Sequence, residues 1–138
     1  MIRAHKNNLE EAIIVYCAGM KTPEYKNLLP DLDFLINLNI YADLQDPTVA
    51  LKIYNCVINS LENKRLPKEY ERLYAIILDN LAMTYRKLGN IQQAKITLLK
   101  SRKLIKQIFN KDSLDYCIHQ YDYALLLVDE RKLDLITH

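Results

Sequence analysis

The chain has 138 residues, half of them hydrophobic and 26% charged, with a formal net charge of +2. That length suits one domain able to fill a core, and so even a charge balance argues against a polyanionic partner for the molecule as a whole. Only two glycines and four prolines are present, too few turn formers for an all-β fold, so a small number of long helices is expected.

In chain order, the first apolar-periodic stretch covers residues 9–20 and reads as a helix. Glu10 and Glu11 interrupt the apolar run that a signal peptide would need. Thr22-Pro23-Glu24 signals a short helical turn over the linker that follows. Asp31 beside Pro30 is placed to cap a helix over 31–44, and Asp46-Pro47 combines an N-cap with a first-turn proline for a helix over 47–62. Pro67 opens a helix over 68–88, and Gly89 stands where a left-handed residue closes one. Helices over 91–109 and 113–130 complete about six, the last capped by Asp112-Ser113, with Leu133 and Ile136 beginning a further helix. No run approaches the roughly 18 apolar residues of a membrane span. The cysteines (Cys17, Cys56, Cys117) are odd in number and widely spaced. That pattern suits core filling in a reducing compartment, and a cytoplasmic location is expected.

These elements repeat. Leu78-x-x-Leu81-Ala82-x-x-Tyr85 followed by Gly89 and Ala94-x-x-x-Leu98 is the best unit; Phe34-x-x-Asn37-Leu38-x-x-Tyr41 with Ala50-x-x-x-Tyr54 keeps step with it. Ala12 and Tyr16 supply part of an earlier unit, and Tyr123-Ala124-x-x-Leu127 begins a later one. In such a pair the alanines let two helix backbones approach, and an aromatic fills the gap beside them. The pattern resembles the tetratricopeptide (TPR) family over nearly the whole chain. The alanine spacings of 38, 44 and 42 residues exceed the family's usual 34 or so, and so are similar to the longer repeats of kinesin light chains. The resemblance implies one domain over residues 1–138, a right-handed superhelical solenoid of antiparallel helix hairpins. Both ends are cut in mid-hairpin, which suggests a segment of a longer array, or an open end that packs on a second copy in a homodimer.

Chemistry is sparse in the sequence. It contains no HExxH, GxSxG, P-loop or GxGxxG, and its histidines (His5, His119, His138) are scattered. His119 and Cys117 are two apart on a helix and so do not share a face, which argues against a metal pair. Asp31-x-Asp33 reads as capping. No enzyme, cofactor or metal is expected.

In the TPR family the first helices of successive hairpins line a concave groove that takes peptides. Carried over residue by residue, the resemblance implies a groove of Asn39, Ala42 and Asp43, then Ile76, Asp79, Asn80, Met83, Arg86 and Lys87, then Ile118, Tyr121, Asp122, Leu125 and Asp129. Asn80 matches the asparagine that holds a ligand's backbone, its amide offering both donor and acceptor. Ile36 and Asp122 stand at the equivalent places of the neighbouring hairpins, so that ladder is incomplete. Lysines flanking Asn39 and Asn80 are missing, which argues against a clamp for chaperone C-termini. Tyr121, two residues from the core position Tyr123, belongs to the contact surface. Residues 80–111 carry eight basic side chains and no acid. Lys95, Arg102 and Lys106 share the α-helical face away from Ala94 and Leu98, the expected outer, solvated face. No aromatics interleave with them for base stacking, which argues against nucleic acid. The expected function is a protein-interaction module for a peptide or partner domain, including further domains of the same chain. The alternative is a ligand-sensing regulatory domain attached to a kinase, protease or transcription regulator.

Overall fold

A computed structural model describes residues 2–25 and 27–137, with side chains described from Glu10 onward apart from Tyr25. Among the described residues there are six α-helices, one 3-10 turn and no strand: α1 (Ile2–Met20), the turn Pro23–Tyr25, α2 (Leu32–Asp43), α3 (Pro47–Leu61), α4 (Lys68–Lys87), α5 (Ile91–Ile108) and α6 (Leu114–Thr137). The helix boundaries follow local chemistry. Asp31 accepts from the amide of Phe34, and Asp46 from those of Thr48 and Val49, satisfying first-turn N–H groups that have no partner within the helix. Asn90 caps α5 through the Gln93 amide, and the Ser113 hydroxyl accepts from Tyr116 at the start of α6. Gly89 turns the chain between α4 and α5 at a φ of 81°, a left-handed conformation that a Cβ would strain.

Each main packing contact joins helices adjacent or next but one in the chain: α2 with α3 and α4, α4 with α3, α5 and α6, α5 with α6, and α1 with α3. Helices α4 and α5 meet most intimately. Ala75, Ala82, Ala94 and Ser101 are all fully buried there, and small side chains are what let two backbones come close. The Ser101 hydroxyl donates to the Ala75 carbonyl at 2.9 Å, so its burial leaves no polar group without a partner. Leu78, Leu98 and Ile105 fill the space alongside, each contributing about 1.5–3 kcal/mol by leaving water. Tyr54, 2% exposed, and the partly buried Tyr16, Tyr41 and Tyr85 pack against the larger core formed by α2, α3 and α4. The alanine-and-tyrosine packing expected of the middle units is therefore in place.

At both ends the structure differs from expectation. Helix α1 begins at Ile2 rather than near residue 9. Helix α6 runs unbroken to Thr137, so Leu133 and Ile136 extend it instead of opening another helix. No glycine or proline interrupts residues 126–137, and Asp129 and Glu130 tie this stretch to Arg86 and Lys95. The buried face of α6 also lies in a different register from Tyr123-Ala124-x-x-Leu127. His119 and Leu126 are buried, Tyr123 is half-buried, and Ala124 and Leu127 are exposed. Among the described residues α6 packs mainly on α4 and α5, and its inward stripe is His119–Asp122–Leu126–Asp129 by residue spacing.

The cysteines also depart from expectation. Cys17 and Cys56, distant in sequence, form a disulfide between α1 and α3 with Cα atoms 5.8 Å apart, and Cys117 is exposed rather than filling core. Their spacing therefore no longer argues for a reducing compartment. Among the described residues no helix is long and apolar enough to cross a membrane.

Candidate functional site

Helices α2, α4 and α6 lie side by side, with α4 touching both of the others. Their shared face gathers many of the residues singled out in the sequence. The Asn80 amide donates to Asn39 Oδ1 at 2.9 Å across the α2–α4 seam. Each amide keeps polar atoms that this bond does not use, so the pair is fixed in orientation and still able to bind. A cleft of about 420 Å³ opens beside it, lined by Leu32, Ile36, Asn39, Arg72, Leu73 and Ile76 among others. Ile76 and Asn80 then border a smaller recess of about 100 Å³ with Asp79, Ile105, Asp115 and Ile118. At the far end Arg86 and Lys87 line a third cleft with Ile91, Asp129, Lys132, Leu133 and Ile136. Ile36 and Ile118 are exposed on this face, 37% and 48%, giving it apolar footholds between polar groups.

Not every expected groove residue reaches that surface. Ala42, on the inner face of α2, is fully buried, and Asp79 is only 5% exposed. Asp43 is exposed; Met83, Asp122 and Leu125 are half-buried; Tyr121 is 64% exposed. Arg86 forms a two-nitrogen ion pair with Asp129, which raises the affinity of the guanidinium for its proton and fixes α4 against α6.

Behind the groove lies a polar cluster that sequence reasoning missed. His119 is completely buried, and its Nδ1 is 2.7 Å from Asp79 Oδ2. Burial, with Arg102 nearby, lowers the imidazole pKa to about 4, leaving the ring neutral at pH 7. The neutral ring donates through Nδ1 to the Asp79 carboxylate. Asp122 stands next to Asp79, and burial together with that neighbour raises its pKa to about 8. Burial also raises Asp79. Two carboxyls in one poorly solvated place resist ionising together, so Asp122 keeps its proton while Asp79 carries the charge. Asp79 Oδ1 and His119 Nε2 make no hydrogen bond of normal geometry. The signal available in sequence was the seven-residue interval from His119 to Leu126, two helical turns on one face.

The basic stretch is less solvated than its sequence suggests. Lys95 pairs with Glu130 at 2.7 Å and Lys100 with Glu62 at 2.9 Å. Arg102 lies 4.2 Å from the Tyr123 ring centroid and donates to Gln120 at 2.6 Å. Lys106 is exposed. Acids placed elsewhere in the chain thus meet several of the bases of residues 80–111. Exposed pairs of this kind contribute little stability each, but here they orient α5 against its neighbours. Among the described residues no three His, Cys, Asp or Glu side chains are arranged to hold a metal ion. His5 and His138 lie outside the described side chains.

No family model matches the chain, and neither a curated protein nor a solved structure shows significant similarity to it.

Proposed function

We propose that this chain is a TPR-like stack of helix hairpins that binds a peptide or partner domain along the face shared by α2, α4 and α6. The reading rests most on one observation: Asn39 and Asn80 join across neighbouring helices, with clefts on either side of Ile76 continuing along the same face. Two further features support it. Among the described residues the main packing contacts join adjacent and next-but-one helices, as expected of an array whose units pack on their neighbours. Half-exposed isoleucines alternate with amides and carboxylates, a surface that can take an extended or helical chain by burying apolar side chains and satisfying its backbone. The α2 and α4 helices supply the amides, and α6 supplies Ile118 and Tyr121 as the far wall.

Selection of binders from a displayed random dodecapeptide library, followed by titration against the purified chain, tests this. Asn80→Ala and Tyr121→Ala are expected to weaken the selected peptides by about tenfold, the cost of one lost amide pair or aromatic contact at an interface. Lys103→Ala, on α5 away from the groove, is expected to leave binding unchanged. Peptides insensitive to both groove substitutions would refute the assignment of this face.

A further inference from the structure

Helix α1 is held to the rest of the molecule at few points. Among its described side chains Ile13 is the one buried apolar residue, while Ile14 and Val15 are 69% and 64% exposed. The Tyr16 hydroxyl donates to Ser60 Oγ at 2.5 Å, and Glu10 accepts from Tyr41 at 3.3 Å. The Tyr16 ring meets that of Phe34 edge-on, with centroids 5.1 Å apart. The Cys17–Cys56 bond cross-links α1 to a point 39 residues further along the chain. Two clefts of about 440 Å³ each run along the seam between α1 and α3; Cys17 lines both, and Cys56 lines the second. Both cysteines are half-buried, so their sulfurs are not sealed beneath packed side chains. Lys21 and Lys52 also line both clefts. Lys21 follows Cys17 by four residues, and Lys52 precedes Cys56 by four, which is about one helical turn. Among the described residues neither lysine forms an ion pair.

Independently of the groove, we propose that Cys17–Cys56 is a thiol–disulfide exchange site whose reduction by a dithiol releases α1 from α3. Cys17 is open to both clefts and lies in the last turn of α1, where the helix C-terminus disfavours an anionic sulfur. The incoming thiolate therefore bonds to Cys17 Sγ, and the S–S bond breaks toward Cys56. Cys56 departs with the electron pair as a thiolate, beside Lys52 and Lys21, and then takes a proton from water. Cationic neighbours stabilise a thiolate, and a better-stabilised thiolate leaves faster. The second sulfur of the dithiol, as its thiolate, attacks the reductant sulfur now joined to Cys17. That step closes a disulfide within the reductant and frees Cys17 as a thiolate, which is protonated in turn. Two electrons have passed from the dithiol to the cysteine pair. With the cross-link gone, α1 keeps only Ile13, the Tyr16 contacts and the exposed Glu10–Tyr41 bond among the ties described. Its departure uncovers Phe34 on α2 and Ser60 on α3.

The test incubates the full chain with dithiothreitol in the absence of denaturant and tags free thiols with a maleimide at intervals, counting tags by mass. One tag, on Cys117, is expected at the start and three at the end. The rate should be proportional to dithiothreitol concentration and insensitive to urea below the unfolding transition. Reduction that proceeds only at the rate of global unfolding would overturn the exchange site. Carrying Lys21→Gln and Lys52→Gln together should slow reduction about fivefold, as for one unit charge about 4 Å from the departing sulfur in water. Equal rates in the two proteins would describe a bond that is merely exposed, and would overturn the assignment. Hydrogen exchange then compares the oxidised chain with the chain kept reduced. Amides of residues 10–20 should exchange at least about tenfold faster after reduction, with α4 and α5 changed far less. Unaltered protection of α1, or equal acceleration in α1, α4 and α5, would overturn its selective release.

Discussion

The Asp79–His119–Asp122 cluster gives the fold an unusual dependence on pH. In the folded chain Asp122 holds its proton up to about pH 8, against 3.8 for the unperturbed group. Between those values the folded state binds more protons than the unfolded state, so stability falls as pH rises. His119 acts oppositely. Its folded pKa of about 4 lies below the unperturbed 6.5, so between those values the unfolded chain takes the proton and stability rises with pH. The two slopes largely cancel from pH 4 to 6.5, and from 6.5 to 8 Asp122 is the one of the two that still contributes. Undiminished, that window would cost about 2 kcal/mol at about 1.36 kcal/mol per pH unit. The partial exposure of Asp122 lets solvent screen the effect to about 1 kcal/mol. Urea unfolding at pH 6.5 and pH 8.0 measures it directly. The natural chain should lose about 1 kcal/mol over this interval, and Asp122→Asn should lose none of that share, since an amide does not titrate. Any contribution from the terminal amine or from His5 is common to both proteins and drops out of the difference. Equal losses in the two proteins would refute the proton assignment.

Three other outcomes follow from particular contacts. Breaking the Cys17–Cys56 bond by the double serine substitution should lower stability by up to about 4 kcal/mol, the chain-entropy value for a sequence separation of 39 residues, and speed hydrogen exchange in α1 more than in α4. The two glycines should respond in opposite senses to alanine, as thermal unfolding can show. Gly19→Ala should stabilise by about 0.5–1 kcal/mol because its helical site has nothing within 4 Å, and Gly89→Ala should destabilise by about 1 kcal/mol because of its positive φ alone. Ala94→Leu, at a fully buried site between α4 and α5, should cost about 1–3 kcal/mol by wedging those helices apart, seen as a lower urea midpoint.

What could be read from the sequence was governed by short-range chemistry. Asp31, Asp46 and Gly89 act within three or four residues of themselves, so the ends of α2, α3 and α4 could be anticipated closely. Ala82 and Ala94 announced a tight helix pair because their small size matters whichever neighbour they meet. The ends of the chain were harder. Leu133 and Ile136 read as the start of a further helix, but Arg86 and Lys95 pair with Asp129 and Glu130 across space and α6 continues. His119 looked isolated because its partner Asp79 lies 40 residues earlier. Asp79 in turn was expected at the groove surface and is buried for the same reason. Cys17 and Cys56 likewise become neighbours only through the packing of α1 on α3. A polar residue's long-range partner leaves no mark on its local sequence, and these misassignments are of that kind.

The account turns on α2, α4 and α6 forming one continuous binding face. Amide chemical-shift mapping of the chain with a library-selected peptide bound tests that most directly. The largest shifts should run from Ile36 and Asn39 through Ile76 and Asn80 to Ile118 and Tyr121, with α3 and the far side of α5 little changed. Shifts centred instead on Lys103, Ile96 and Leu99 of α5, or scattered without a connected path across the three helices, would contradict it.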